Sequence, residues 1–481
     1  MITIKNYING KLKEPINNQW IDSVCPGTGE VYAKLPNSDC RDVALAYQAA
    51  HTAFPAWSKT PVEKRSQILS EIAGLIEEKL DDLAVAESLD NGKPLALARH
   101  IDIPRAAHNF RFFSQAITQF HSESYDQIPK NTINFNLRQP IGVVGCISPW
   151  NLPLYLLTWK IAPALAAGNC VIAKPSEVTP YTAYLLSDLC EKAGLPKGVL
   201  NIIHGEGRSV GQAIVEHPDI KAISFTGGTK TGAHIAKTAA PLFKKLSLEL
   251  GGKNPNIIFA DCDYDKTLNT TLNSAFANQG QICLCGSRIF VENSIYERFK
   301  HDFLQKVNQL KVGLPFKKDT DIGALVSKSH MNKVLSYIKN IDPDLATILC
   351  GGKQISIKNG ENGYYLKPTV IEVNSNNCEL NQEEIFGPIV TIMPFSTEQE
   401  ALALANDVKY GLSATVWTNN LKRSLYFSDH LETGIVWVNT WMQRDLRTPF
   451  GGKKASGVGR EGGFEVLRFF TESKNVCINY E

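Results

Sequence analysis

The chain has 481 residues, of which 43% are hydrophobic and 20% charged. At about 150 residues per domain this is enough for two to four domains with large cores, and the composition excludes disorder, collagen and coiled coil. The 50 Lys and Arg against 48 Asp and Glu leave a net charge of +2, so there is no basic excess to support nucleic-acid or anionic-membrane binding.

Eleven cysteines are too sparse, and odd in number, for a disulfide scaffold, and read as reduced thiols. The start, Met1 to Tyr7, shows no secretory signal. The most apolar stretch, Pro153–Lys174, is interrupted by Lys160, Pro163 and Asn169 and falls short of a membrane span. A cytoplasmic location is expected.

The N-terminal third reads as mostly helical. Val62–Leu89 carries apolar residues at helical spacing. Ile101–Phe120 is a second helix, opened by Asp102 and Pro104, with Arg105, His108 and Phe112 on one face. Gln127–Arg138 reads as an extended polar excursion. Between Ile141 and Phe259, short apolar runs alternate with helical patterns. Strands are expected at Ile141–Ile147, Cys170–Ala173, Val199–His204 and Ile220–Phe225, with helices at Leu154–Ala167, Tyr181–Ala193 and Val210–Glu216. That alternation means βαβ units and a parallel sheet buried on both faces. In residues 244–252 the alternation of Leu246, Leu248 and Leu250 puts Glu249 on the opposite face of a strand, before Gly251-Gly252 breaks the chain. A second β/α series follows over 257–311, and Val476–Tyr480 reads as an edge strand in need of a partner.

Several residues could carry chemistry. Cys283 sits in Gln279-Gly280-Gln281-Ile282-Cys283-Leu284-Cys285-Gly286, where backbone can approach a ligand; taken alone it reads first as a buried structural cysteine. One Cys-x-Cys without a second pair does not make a zinc site, and no metal is expected. Glu249 could be a general base raised by burial or simply a hydrogen-bonded buried carboxylate. Gly205-x-Gly207-x-x-x-Gly211 is one residue off the dinucleotide fingerprint, and Gly227-x-x-x-x-Gly232 lacks the Lys-Ser/Thr of a phosphate loop. Both nevertheless follow strands and precede helices, where parallel sheets bind nucleotides. Lys174 and Glu177 end a strand at the same edge. Asn151, in the stiff turn Pro149-Trp150-Asn151, could aim its amide at an oxyanion.

Together these motifs resemble the NAD(P)-dependent aldehyde dehydrogenase superfamily. The resemblance rests on Pro149-Trp150-Asn151, Lys174-Pro175-Ser176-Glu177, Phe225-Thr226-Gly227, Leu248-Glu249-Leu250-Gly251-Gly252-Lys253, Gly280-Gln281-Ile282-Cys283, Glu383-Glu384-Ile385-Phe386-Gly387-Pro388 and Pro449-Phe450-Gly451-Gly452. It implies Cys283 as the nucleophile attacking as a thiolate, with the Asn151 amide and the Cys283 N–H as the oxyanion hole. A thiohemiacetal would pass hydride to the nicotinamide, and Glu249 would activate water against the resulting thioester. Trp150, Lys174, Glu177, Glu384 and Phe386 would contact the cofactor, and Gly207, Gly211 and Gly227 would lie against the dinucleotide. An acidic Glu177 would repel a 2′-phosphate, which favours NAD over NADP.

The stretches 102–105 and 441–447 are most similar to the branch containing the 2-aminomuconic and 2-hydroxymuconic semialdehyde dehydrogenases. Their substrates carry a carboxylate remote from the aldehyde, and an Arg fork suits a carboxylate. Arg105 and Arg444, with Arg447 as a third candidate, are therefore expected to bind a carboxylated aldehyde, unless they pair with local acids such as Asp102 and Asp445. Rival readings are a betaine-aldehyde or broad aliphatic aldehyde dehydrogenase, a CoA-acylating variant, and a non-catalytic protein on this fold. The resemblance implies an α/β architecture. A doubly wound NAD-binding domain (1–119 and 140–251) would be joined by a second α/β catalytic domain (252–452). A β extension (120–139 and 465–481) would pair subunits into a homodimer or homotetramer.

Overall fold

A computed structural model describes all 481 residues. Two large sheets dominate it. The first has eight strands. Five parallel strands form its centre, in the spatial order Lys245–Glu249, Ile220–Thr226, Val143–Ile147, Cys170–Lys174, Leu200–Ile202. Val143–Ile147 and Cys170–Lys174 are buried at every position, because helices cover both faces and the strands need no polar side. Chain order runs outward in both directions from Val143–Ile147. The switch point therefore falls between Val143–Ile147 and Ile220–Thr226, and ligands bind at the carboxyl ends of such a strand pair. Those ends lead into Trp150-Asn151 and Gly227.

The second sheet has seven strands, with Pro255–Ile258 and Arg288–Glu292 side by side at its centre. A third unit is the antiparallel sheet of Ser124–Gln127, Thr132–Pro140 and Thr471–Asn479. The C-terminal strand was expected as an edge strand over 476–480 in need of a partner. It is longer, and pairs from Thr471 opposite Pro140 to Asn479 opposite Thr132.

Four other expectations need correction. The N-terminal third is not mainly helical from its start: five short strands precede the first helix, Cys40–Trp57. Most are only two or three residues long, too short to show a period. Val62–Leu89 is two helices, Val62–Glu78 and Leu80–Asn91, broken where Lys79 leaves helical geometry at φ −97° and ψ 17°. The helix expected at Val210 begins earlier, as a wide turn over Gly207–Gly211. An extension starting at residue 465 would cut the helix Gly463–Phe469. Its Val466 and Leu467, with Leu446 and Phe470, are instead buried in the core under the first sheet. The chain thus returns to the first unit after completing the second.

Candidate active site

The switch point opens into a cleft lined by Trp150, Lys174, Glu177, Gly207, Gly211 and Gly227, among others. It continues into a cavity lined by Trp150, Asn151, Gly227, Cys283, Glu384 and Phe386. Every residue expected to contact a dinucleotide therefore lies on one continuous surface. A Cβ built on Gly207 or Gly228 would meet nothing within 4 Å, and one on Gly211 only the Lys174 chain at 3.9 Å. These glycines leave room for a ligand beside bare backbone, which is the fit a dinucleotide requires. Gly227 is glycine for a different reason, since a Cβ there would strike the Phe225 ring at 2.4 Å.

At one end of the cleft Lys174 Nζ donates to Glu177 Oε2 at 2.7 Å. Burial pushes the Glu177 carboxyl up, but the Lys174 ammonium prevails and holds it below the usual range. At the other end Gly252 N–H donates to Glu384 Oε1 at 2.8 Å. Burial raises Glu384 to about 7. Phe386 stands at φ +62°, a left-handed conformation that is uncommon for an aromatic residue. It meets Trp150 edge-on, with ring centroids 5.3 Å apart. His330 completes this aromatic group: its Nε2 donates to the Phe386 carbonyl at 2.7 Å and its ring lies 4.9 Å from Trp150. Sequence reasoning missed His330 and Lys333, which line the same cavity from the first turns of an ordinary surface helix, Lys328–Lys339. It also missed Thr226 as a site residue, although Thr226 borders this cavity, the cleft and the pocket described next.

Cys283 is not at a helix end. The helix Tyr264–Phe276 stops seven residues earlier. Asn278, Gln279 and Gly280 then take φ values of 51°, 59° and 70°, and this left-handed run turns the chain towards the first unit. Gly280 is obligatory there, because a Cβ would lie 2.1 Å from the Gly387 carbonyl oxygen. Asn151 Nδ2 donates to the Gln281 carbonyl at 2.9 Å, which docks the turn after the first sheet's central strand onto the cysteine loop. An amide NH₂ carries two donors, so one remains for a ligand. The Cys283 N–H has no acceptor in the protein.

Cys283 borders both the dinucleotide-side cavity and a pocket on its other side, lined by Tyr155, Trp159, Glu249, Arg444, Phe450 and Glu461, with Leu156, Leu284 and Met442 between them. Burial, and then the Glu384 and Glu249 carboxylates, push the Cys283 thiol up, with Arg444 opposing. These groups together favour the protonated thiol over the thiolate at rest. Glu249 is fully buried and neither of its oxygens has a hydrogen-bond partner. Burial, and then the Glu461 carboxylate, raise it well above the ordinary value, against Lys160. Glu461 is held by Lys160 Nζ at 2.8 Å and by Ser224 Oγ at 3.1 Å. Gly451 gives Glu249 its space: a Cβ there would come within 2.9 Å of Oε1.

The three arginines separate. Arg444 lines the pocket. Its Nη1 donates to the Tyr155 hydroxyl at 2.6 Å, and its Cζ lies 3.9 Å from the Phe450 ring centroid and 5.4 Å from that of Trp159. Arg105 does not line the pocket itself, but its Cζ is 5.8 Å from the centroid of the same Tyr155 ring. The local acids do not neutralise either one. Asp102 is buried against Lys93, and Asp445 pairs with Arg447 at 2.6 Å. Arg447 is thus removed from the site: its side chain is 82% exposed, and it borders a separate groove with Phe112 and Phe464.

A family model described as the aldehyde dehydrogenase family matches residues 13–476. The chain belongs to the aldehyde dehydrogenase family. A 2-aminomuconic semialdehyde dehydrogenase from Bos taurus is 48% identical over 100% of this chain and 99% of its own length. A 2-hydroxymuconic semialdehyde dehydrogenase from Pseudomonas sp. (strain CF600) is 43% identical over 99% of this chain and 100% of its own. Among solved structures, a betaine aldehyde dehydrogenase from Staphylococcus aureus in complex with NAD+ matches with a TM-score of 0.97 and 38% identity, over 99% of this chain and 95% of that one. The NAD+ complex of an aldehyde dehydrogenase from Bacillus cereus matches with a TM-score of 0.97 and 37% identity, over 100% and 97%. The doubly wound expectation and the aldehyde dehydrogenase fold agree. No helix is long and apolar enough to cross a membrane.

Proposed function

We propose that this aldehyde dehydrogenase oxidises a carboxylated semialdehyde, 2-aminomuconate or 2-hydroxymuconate 6-semialdehyde, to the dicarboxylic acid with NAD. The observation that carries the substrate is Arg444, with Arg105 one ring away. Both are half-buried guanidinium groups, and neither has a carboxylate within ion-pair distance. Two such cations are costly to bury without an anion. The aromatic group of Tyr155, Trp159 and Phe450 could hold a quaternary ammonium, but Arg444 already fills it. That disfavours a betaine-aldehyde substrate.

In this reading Cys283 Sγ first loses its thiol proton to solvent water and then attacks the aldehyde carbon as a thiolate. The developing oxyanion accepts hydrogen bonds from the free Asn151 N–H and the Cys283 N–H. The bound nicotinamide would accept the hydride. Trp150, Lys174, Glu177, Glu384, Phe386 and the bare backbone at Gly207, Gly211 and Gly227 hold the dinucleotide. Glu249 then removes a proton from the water that opens the thioester, which favours hydrolysis over transfer to CoA. A non-catalytic role is disfavoured because Cys283, Glu249 and Asn151 converge on adjoining cavities. The three divisions of the chain serve as dinucleotide-binding, catalytic and oligomerisation units. The exposed extension sheet, with Tyr125, Leu137 and Ile478 open to solvent, supports pairing into a homodimer or homotetramer. Eleven free cysteines support a reducing, cytoplasmic setting.

The test is NADH formation with 2-hydroxymuconic semialdehyde beside an uncharged aliphatic aldehyde. Charged hydrogen bonds contribute about 1.5–3 kcal/mol, so Arg105→Ala and Arg444→Ala should each lower kcat/KM for the carboxylated substrate about 10- to 10²-fold, mainly through KM. Turnover of the uncharged aldehyde should stay near normal. Equal losses on both substrates would return the arginines to a structural role. For the cofactor, Glu177→Ser removes the charge that repels a 2′-phosphate. The NADP-to-NAD ratio of kcat/KM should rise about tenfold or more; an unchanged ratio would mean Glu177 does not face the ribose.

A further inference from the structure

Three buried charges lie beneath the loop that carries Asn151, and the chemistry above does not use them. The side chains of Lys93, Glu87 and Asp102 are at most 1% exposed. The Lys93 ammonium contacts the Asp102 carboxylate, stands 3.6 Å from Glu87 Oε1, and donates to the Asn151 backbone carbonyl at 3.1 Å. That carbonyl is also reached by Asn278 Nδ2 at 3.0 Å and Asn91 Nδ2 at 3.3 Å. Three donors converge on one oxygen with two lone pairs. Asn278 Nδ2 lies, besides, 3.2 Å from the Gln281 carbonyl, the acceptor of Asn151's own amide. On the other side, Asp102 precedes the helix Ile103–Ala116 and stands one turn before Arg105. One ammonium thus ties the oxyanion loop to the helix that carries Arg105.

Burying ions costs several kcal/mol each, and well-packed apolar residues commonly replace such groups without loss of stability. A cluster kept only for stability would have no need to aim at a backbone carbonyl beside the site. We propose that Lys93 is a positioning residue. It fixes the Asn151 backbone so that the side-chain amide faces the carbonyl oxygen of an aldehyde attacked by Cys283, and through Asp102 it keeps that amide in register with Arg105. This rests on the reading of Asn151 as the oxyanion donor.

The test compares Asn151→Ala with the uncharged triple variant Glu87→Gln, Lys93→Met, Asp102→Asn in the full-length protein. Three rates are read: NADH formation with 2-hydroxymuconic semialdehyde, hydrolysis of p-nitrophenyl acetate, and alkylation of Cys283 by iodoacetamide. Ester hydrolysis needs the oxyanion donors but no hydride transfer, whereas alkylation develops no oxyanion. A donor misplaced by about 1 Å costs about 10²-fold. The triple variant should lose that much kcat in both turnover assays, with a raised KM for the semialdehyde, while alkylation rate and NAD affinity stay within about twofold of the parent. Turnover near the parent level, or an equal fall in alkylation, would overturn the proposal. If Asn151→Ala loses turnover and the triple variant does not, Lys93 alone loses its role; if Asn151→Ala loses nothing, the oxyanion reading fails first. Should the triple variant not fold, Lys93→Arg keeps the charge but changes the reach. It should show the same split between turnover and alkylation, and full turnover there would equally overturn the proposal.

Discussion

Cys283→Ala should reduce NADH formation by about 10⁴-fold or more, the scale of removing a covalent nucleophile. NAD affinity should hold, because the thiol borders only one end of a surface whose contacts are spread from Glu177 to Phe386. Titration of NAD against the variant separates these two effects. A variant that still oxidised aldehyde at the parent rate would remove the thiohemiacetal from the reaction. The resting state adds a second expectation. Burial and the carboxylates of Glu384 and Glu249 hold the Cys283 thiol above its ordinary value, so it is protonated at neutral pH. Alkylation of the parent enzyme by iodoacetamide should therefore accelerate steadily as pH rises through the neutral and mildly alkaline range. A plateau already at pH 6 would mean a standing thiolate.

The parallel strands were legible because burial on both faces leaves an unbroken apolar signature, as in Cys170–Lys174. The N-terminal strands were not, since they are short and partly polar. One of them did carry a local signal: Asn9-Gly10, both at positive φ, joins the paired strands Asn6–Ile8 and Lys11–Lys13, and Asn-Gly is the strongest short hairpin signature. In the site, motif residues were found because backbone constraints fix their identity, as the close approach of Gly387 does for Gly280. His330, Lys160 and Glu461 were not found. Each sits in an ordinary helical or loop context, and its relevance exists only once segments far apart in the chain meet. The same limit explains Arg447: its residue type matched Arg444, but only the fold shows Asp445 neutralising it.

Glu249→Gln should separate the two halves of the reaction. Loss of a general base costs about 10²–10⁴-fold, and here that cost falls on thioester hydrolysis rather than on hydride release. Rapid mixing with NAD and 2-hydroxymuconic semialdehyde should give a burst of NADH stoichiometric with sites, followed by a steady state lower by that factor. The pH dependence follows from the sign of the shift. Burial and the neighbouring Glu461 raise Glu249, so in the resting enzyme it carries a proton at pH values where an exposed glutamate is charged. A proton-bearing carboxyl cannot accept one from water. Parent turnover should accordingly rise with pH as Glu249 ionises, and the Gln variant should lose that rise while keeping its burst. Glu461→Gln would remove the like charge and, by lowering Glu249, shift the parent's rise to lower pH. Lys160, 2.8 Å from Glu461, would keep its own lowering effect on Glu249 in that variant. A Glu249→Gln enzyme with normal steady-state turnover would leave the water without its base and move that role to another group in the pocket. Glu461 is the other carboxylate there.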